Sequence, residues 1–246
     1  MDSGQWIVAH LVFNLDGVGQ IYYNPDVGLG ALYMEGIMQL TFEESTLEKL
    51  DNLFGLEEVR ELSAPTEWLA GEATISDYER QTLEFLQGKL IEHVRDWNET
   101  ELTMEFIGPL MGLVNYSHKK FNFFAQRIFE GKVDGVGLSG KPDGIIASGK
   151  RSPHKPYFCF QEYKREQDPE GDPAGQVLAA MLLAQEVNEY EHPIYGCYVK
   201  GDTWYFVLLQ GKKYTISVGY VATSEKLFEI FGILQALKPI IRGLLS

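Results

Sequence analysis

Pro156-Tyr157-Phe158-Cys159-Phe160-Gln161-Glu162-Tyr163-Lys164 is the stretch whose reading decides the fold. A run this apolar at both odd and even positions is a strand covered on both faces, near the middle of a sheet. Phe158, Phe160, Glu162 and Lys164 are spaced by two, so an unbroken strand projects all four from one face. Burying a carboxylate and an ammonium at the end of such a strand is costly unless they are paired, metal-bound or used. A structural ion pair is one reading of Glu162 and Lys164. A functional site is the other.

The surrounding pattern supplies the partners of this strand. Residues 133–138, 144–147 and 194–200 read as further strands, and a helix over 173–190 opens with Pro173 in its first turn. Ser76 followed by Glu79 is a capping box, after which Leu83, Leu86, Leu90, Ile91 and Val94 mark one helical face ending near Trp97. A second helix starts at Asn98-Glu99 and carries Leu102, Phe106, Ile107 and Leu110, with Pro109 bending or ending it. Residues 119–130 read as helical. Residues 204–209 and 214–218 form a hairpin through Gln210-Gly211-Lys212, and an amphipathic helix from Ser224 to Leu237 continues to Leu245. Towards the start, residues 6–23 hold two short strands. Residues 41–62 are acidic, with Leu47, Leu50, Leu53 and Phe54 at helical spacing. The expected class is α/β, a mixed central β-sheet flanked by helices. Residues 1–75 are expected to form an acidic N-terminal appendage and residues 76–246 the core.

Composition limits the function classes. The chain has 246 residues, 45% hydrophobic and 23% charged, as an ordinary soluble globular protein does. No apolar stretch approaches the roughly 18–20 residues that span a bilayer, so no membrane partner is expected. The first residues lack the basic region of a signal peptide. Cys159 and Cys197 fall in apolar strand-like runs, as buried free thiols do. A cytoplasmic, reducing setting is the matching expectation. The net charge of −14 is unevenly distributed: residues 1–100 hold 19 Asp/Glu and 5 Lys/Arg, while residues 101–246 hold 16 of each. Overall acidity argues against generic electrostatic binding of nucleic acid. The acidic first part suits a docking surface for a basic protein partner, or a shield over the site.

Two other signals lead nowhere. Gly135 to Gly140 match G-x-G-x-x-G, but Lys141-Pro142-Asp143 and apolar Ile145-Ile146-Ala147 follow where a dinucleotide site needs a helix. The glycines read instead as a hairpin with close backbone approach. The five histidines and two cysteines are too scattered for a zinc pattern.

Glu99, Pro142-Asp143, Glu162-x-Lys164 and Gln176 fall in the order helix, strand, strand, strand, helix, strand. This resembles the PD-(D/E)XK phosphodiesterase superfamily over roughly residues 77–200. The resemblance implies a restriction-endonuclease-like core and a Mg²⁺-dependent (or Mn²⁺-dependent) nuclease, acting on DNA ahead of RNA. It implies that Asp143 and Glu162 bind metal through oxygen ligands, with Glu99 completing the set. Lys164 would orient the attacking water or stabilise charge on the phosphate. Glu101 is the alternative to Glu99 as the helix acid. Gln176 opens the helix after Lys164 as in many members, although Ala180 stands where some carry a Tyr, so exonuclease activity is not implied. Many nucleases of this fold pair up, which makes a homodimer one implied arrangement. Asp143 also suits a plain Pro-Asp-Gly turn, and Glu99 an exposed first-turn helix position. Lys141, Lys155, Arg165 and Lys200 are candidate phosphate contacts. Tyr163, Tyr195, Tyr198, Trp204 and Tyr205 are candidates for stacking on bases or for the core. The competing function is a non-catalytic interaction module of the same fold, acting through residues 1–75.

Overall fold

The structure is a computed structural model that describes residues 7–9, 21–23, 33–34, 38–60, 62, 68–71, 74–167 and 171–245. Three short strands, β1 (Ile7–Ala9), β2 (Ile21–Tyr23) and β3 (Tyr33–Met34), pair antiparallel in a small sheet. They are followed by β4 (Gln39–Thr41), α1 (Leu47–Phe54) and β5 (Glu57–Glu58). Next come α2 (Asp77–His93), α3 (Glu99–Leu102) and α4 (Gly108–Val114), the last two joined by a π-helical turn over Thr103–Ile107. Four strands, β6 (Phe121–Ala125), β7 (Phe129–Val133), β8 (Val136–Gly140) and β9 (Gly144–Ser148), lead into the long β10 (His154–Lys164). Helix α5 (Pro173–Val187), β11 (Ile194–Lys200), β12 (Thr203–Gln210), β13 (Lys213–Ile216), β14 (Tyr220–Val221) and α6 (Lys226–Leu244) follow.

The main sheet runs β5-β13-β12-β11-β10-β9-β6, with β14 beside β12. It is mixed: β10 lies parallel to β11 and β13 to β5, and the other pairs are antiparallel. A parallel β10–β11 pair needs a crossover, and α5 provides it. A second sheet, β4-β8-β7, lies on the far side of α5. Enclosure between two layers explains why α5 is apolar all round, with residues 174–185 buried throughout. At Gly175 this helix comes so close to the chain before α1 that a Cβ would sit 2.5 Å from Ser45 O. Asp172 joins the two helices: its Oδ1 accepts from Gly175 N and its Oδ2 from Leu47 N. The opposite face of the main sheet is covered by α2, α4 and α6, whose Leu83, Leu110 and Phe231 share one core with Phe158 and Trp204. The chain is therefore mixed α/β, with helices on both faces of a multi-strand sheet.

The central strand departs from simple alternation. Tyr157 pairs with Ala147, and Cys159 pairs with Ile146, so two residues of β10 answer one of β9. This bulge turns Phe158 into the α2/α6-side core, while Phe160 stays in the α5-side core. Phe160, Glu162 and Lys164 therefore share a face, and Phe158 does not, contrary to the expectation of an unbroken strand. Asn188, just past α5, holds the bulged segment at both ends of one residue. It accepts from Tyr157 N at 2.9 Å and donates to Tyr157 O at 2.7 Å.

Other sequence expectations are revised locally. Residues 119–130, read as helical, form β6 and the start of β7. The acidic helix over 41–62 is confined to Leu47–Phe54, ended by Gly55 in the left-handed region, and β5 follows. The glycine-rich stretch is the expected hairpin: Asp134 and Gly135, both at positive φ, make the two-residue turn between β7 and β8. Yet β8 and β9 part at Lys141-Pro142-Asp143, one joining each sheet. Of the segment 6–23, only β1 and β2 lie within the described residues.

Asn188→Ala leaves a buried amide and carbonyl of Tyr157 without partners, an expected cost of about 2–4 kcal/mol. Urea unfolding measures it; a loss below about 0.5 kcal/mol would show that the bulge needs no such support.

Candidate active site

The site grows out of the register of β9 against β10. Gln161 pairs with Gly144, so Asp143, one residue back, stands across from Glu162 where the ladder ends. The freed Tyr163 N–H donates to Asp143 Oδ2 at 2.8 Å, which fixes the Asp143 carboxylate beside the charged end of β10. Gln126, just past β6, supports it from the other side: its backbone N–H donates to Asp143 O, and its Nε2 approaches Asp143 Oδ1 at 3.4 Å.

Helix α3 brings the third carboxylate. Asn98 and Glu101 form a reciprocal capping box, in which Glu101 Oε2 accepts from Asn98 N. Glu101 is thereby committed to the helix terminus. Glu99 instead turns toward Lys164, its Oε2 lying 3.4 Å from Nζ. The ammonium is closer to Glu162, at 2.9 Å from Oε1. The π-turn that follows lies just before Pro109, whose ring nitrogen has no hydrogen to donate to a regular ladder.

Glu99, Asp143, Glu162, Lys164 and Gln176, the residues singled out from the sequence, all line one cleft of ≈430 Å³. Helix α5 and the residue that caps it carry three buried amide side chains with different uses. Gln185 and Asn188 spend both ends of their amides on backbone groups, at Gly211 and Tyr157 respectively. Among the described residues the Gln176 amide has no such engagement, and it faces the cleft. Lys141 also lines the cleft, whereas Lys155 lies at the other end of β10, paired with Glu189. Tyr163, Tyr195 and Trp204 are core residues, and Tyr198 stacks on Tyr205 at 4.7 Å.

Sequence reading missed two parts of this cleft. Gln126 sat in a stretch taken for helix, which hid its place at a strand end. Thr41, Phe42 and Glu43, from the acidic first part, form a wall of the cleft because β4 runs parallel to β8. No local signal links residue 41 to residue 139; only the sheet pairing does.

Electrostatics set these groups against one another. Burial, reinforced by the Asp143 charge, pushes the Glu162 carboxyl up to about 7 despite its pairing with Lys164. Burial also raises Asp143, with Glu99 adding to the effect and the Tyr163 amide opposing it. Burial works against the Lys164 ammonium, but the Glu162 and Glu99 carboxylates outweigh it and hold the proton more firmly than usual. Among the described residues no three His, Cys, Asp or Glu side chains are gathered to hold an ion by themselves. Lys164 Nζ stands between Glu162 and Glu99. The donor set nevertheless fits a hard divalent cation: it is all oxygen, and the carboxyls of buried Glu162 and half-buried Asp143 are driven toward protonation, a state that a cation reverses. Among the described residues no helix is long and apolar enough to cross a membrane. Comparison with known proteins finds no matching family model and no significantly similar curated protein.

The raised Glu162 has a consequence for stability. The folded metal-free chain keeps this proton to about pH 7, whereas an unfolded chain loses it near the ordinary glutamate value of 4.5. The folded state holds more protons between those values, so stability falls as pH rises through that window, by on the order of 3 kcal/mol. Thermal melts in EDTA between about pH 5 and about pH 8 should show this fall in the native chain and a flatter profile in Glu162→Gln. Equal slopes would show that Glu162 ionises normally.

Proposed function

We propose that this chain is a divalent-metal-dependent phosphodiesterase acting on nucleic acid, DNA ahead of RNA, built on a restriction-endonuclease-like core. The supporting observation is the convergence of Glu99, Asp143, Glu162, Lys164 and Gln176 on one cleft. They arrive from a helix, two adjacent antiparallel strands and the crossover helix that follows. The element order and the Asp143/Glu162-x-Lys164 placement resemble those of the PD-(D/E)XK superfamily, and the reading rests on that resemblance.

Asp143 and Glu162 would hold Mg²⁺ or Mn²⁺, with Glu99 completing the set. The bound ion would polarise a phosphate oxygen and make a bound water more acidic. The remaining work falls to the chain itself. Lys164, kept protonated by two carboxylates, donates hydrogen bonds to phosphate oxygens as charge develops on them. A proton held this firmly makes it a poor base, so charge stabilisation is its role. Gln176 offers an amide N–H to the same phosphate. The Tyr163 and Gln126 hydrogen bonds fix Asp143, which favours one ligand geometry over several.

Asp143→Ala and Lys164→Ala should each lower Mg²⁺-dependent cleavage of DNA by about a hundredfold or more, with cooperative melting retained. Full cleavage by either variant would refute the mechanism. Calorimetric titration of Mn²⁺ separates the competing reading: no binding by the native chain would favour a non-catalytic module that docks a basic protein through residues 1–75.

A further inference from the structure

The cleft is the acidic end of β9, and the other end of the same strand is its electrical opposite. Residues 115–161 hold eight Lys/Arg and three Asp/Glu, a net +5 within a chain of net −14. Pairing of Phe121 with Ser148 brings the segment before β6 against the loop after β9. Between them lies a pocket of ≈450 Å³ lined by Ser117, His118, Lys119, Asn122 and Lys150. Arg151 follows on the exposed loop.

These two segments are held in place. Asn122 Nδ2 donates to Gly149 O at 2.6 Å, tying the loop to β6. His118 stacks on Phe121 at 4.8 Å, and its Nδ1 accepts from Lys120 N. In the neutral ring the proton is therefore on Nε2, which makes that atom a donor. Lys120 is engaged by Leu245 O. Among the described residues Lys119, Lys150 and Arg151 form no ion pair, whereas Lys155, Lys212, Lys213 and Lys226 are each matched by a carboxylate. Three cations without counter-charges, carried on a fixed frame, suit a row of phosphates.

We infer that this end of the sheet is a second contact for the nucleic acid, gripping the phosphodiester backbone of the same molecule whose reacting phosphate enters the cleft. The inference rests on the phosphodiesterase reading and adds the direction in which the substrate runs. Strand rise along β9, with the flanking residues, separates Asp143 from Lys150 by roughly 20 Å. At 3.4 Å per step along a strand, that is about six base-pair steps of duplex. It also resolves an apparent conflict with the acidic composition. The binding charge is local to Lys119, Lys150 and Arg151, within a segment of net +5, and is cancelled only in the sum over the chain.

Fluorescence anisotropy of a labelled duplex of about 20 base pairs, in EDTA, tests it on the full chain. Lys119→Glu/Lys150→Glu/Arg151→Glu should bind about tenfold or more weakly, with a salt slope shallower by roughly three. The control Lys212→Glu/Lys213→Glu/Lys226→Glu makes the same charge change elsewhere and should stay within about twofold of the native chain. Hydrolysis of a small aryl phosphodiester in Mn²⁺ should survive in both. Unchanged binding by the first triple variant, an equal loss in the control, or no binding by the native chain would overturn the inference. So would a polyglutamate peptide that competes as well as unlabelled duplex. A duplex that binds through Lys119, Lys150 and Arg151 but is never cut in Mg²⁺ would uphold the surface and refute the hydrolase. Small-ester hydrolysis with no role for these residues in duplex binding would do the reverse.

Discussion

The antiparallel register of β9 on β10 is the constraint on which the rest of the molecule depends. It places Asp143 opposite Glu162 and leaves the Tyr163 amide free to hold the Asp143 carboxylate. The bulge at Phe158, next to the Tyr157 that Asn188 holds, lets the first half of β10 and its charged end each keep their own face. Without the bulge, either Tyr157 leaves the core beside α5 or Glu162 and Lys164 turn into the core shared by Phe158 and Trp204. With it, they emerge beside α5 and the N-terminus of α3, where Gln176 and Glu99 stand.

The same geometry explains why this cleft is poised instead of relaxed. Three carboxylates and one ammonium share a partly enclosed space, so charge repulsion and desolvation are only partly offset by the Lys164 pairings. A structural ion pair would need one acid. The second and third add cost, and that excess is what perturbed groups at functional sites typically show. Packing supports the arrangement from both sides: α5 enters between two sheets, and residues 41–43 wall the cleft through the β4–β8 pairing. Part of the acidic first hundred residues is thus built into the site, and Glu43 adds to its negative field.

Much of this was legible in the sequence because local chemistry and tertiary structure agree. The Ser76/Glu79 capping box, the apolar α5 and the apolar β10 are elements whose patterns leave little choice. All five candidate site residues converge. What was not legible depends on pairings distant in sequence. Phe121 and Phe124 are three apart, which mimics a helical face, yet they lie in a strand buried on both sides and point into different cores. That mimicry concealed β6, and with it Gln126. The choice between Glu99 and Glu101 was open until the capping box claimed Glu101. The bulge at Phe158 leaves no mark in a run that is apolar at every position.

Everything said of function turns on whether Asp143 and Glu162 share a cation. Anomalous diffraction from a crystal of this protein soaked in Mn²⁺ answers that directly. The expected result is a peak between the two carboxylates, lost in Asp143→Ala. A crystal with Mn²⁺ bound elsewhere and nothing between Asp143 and Glu162 would contradict the metal-dependent reading at its root.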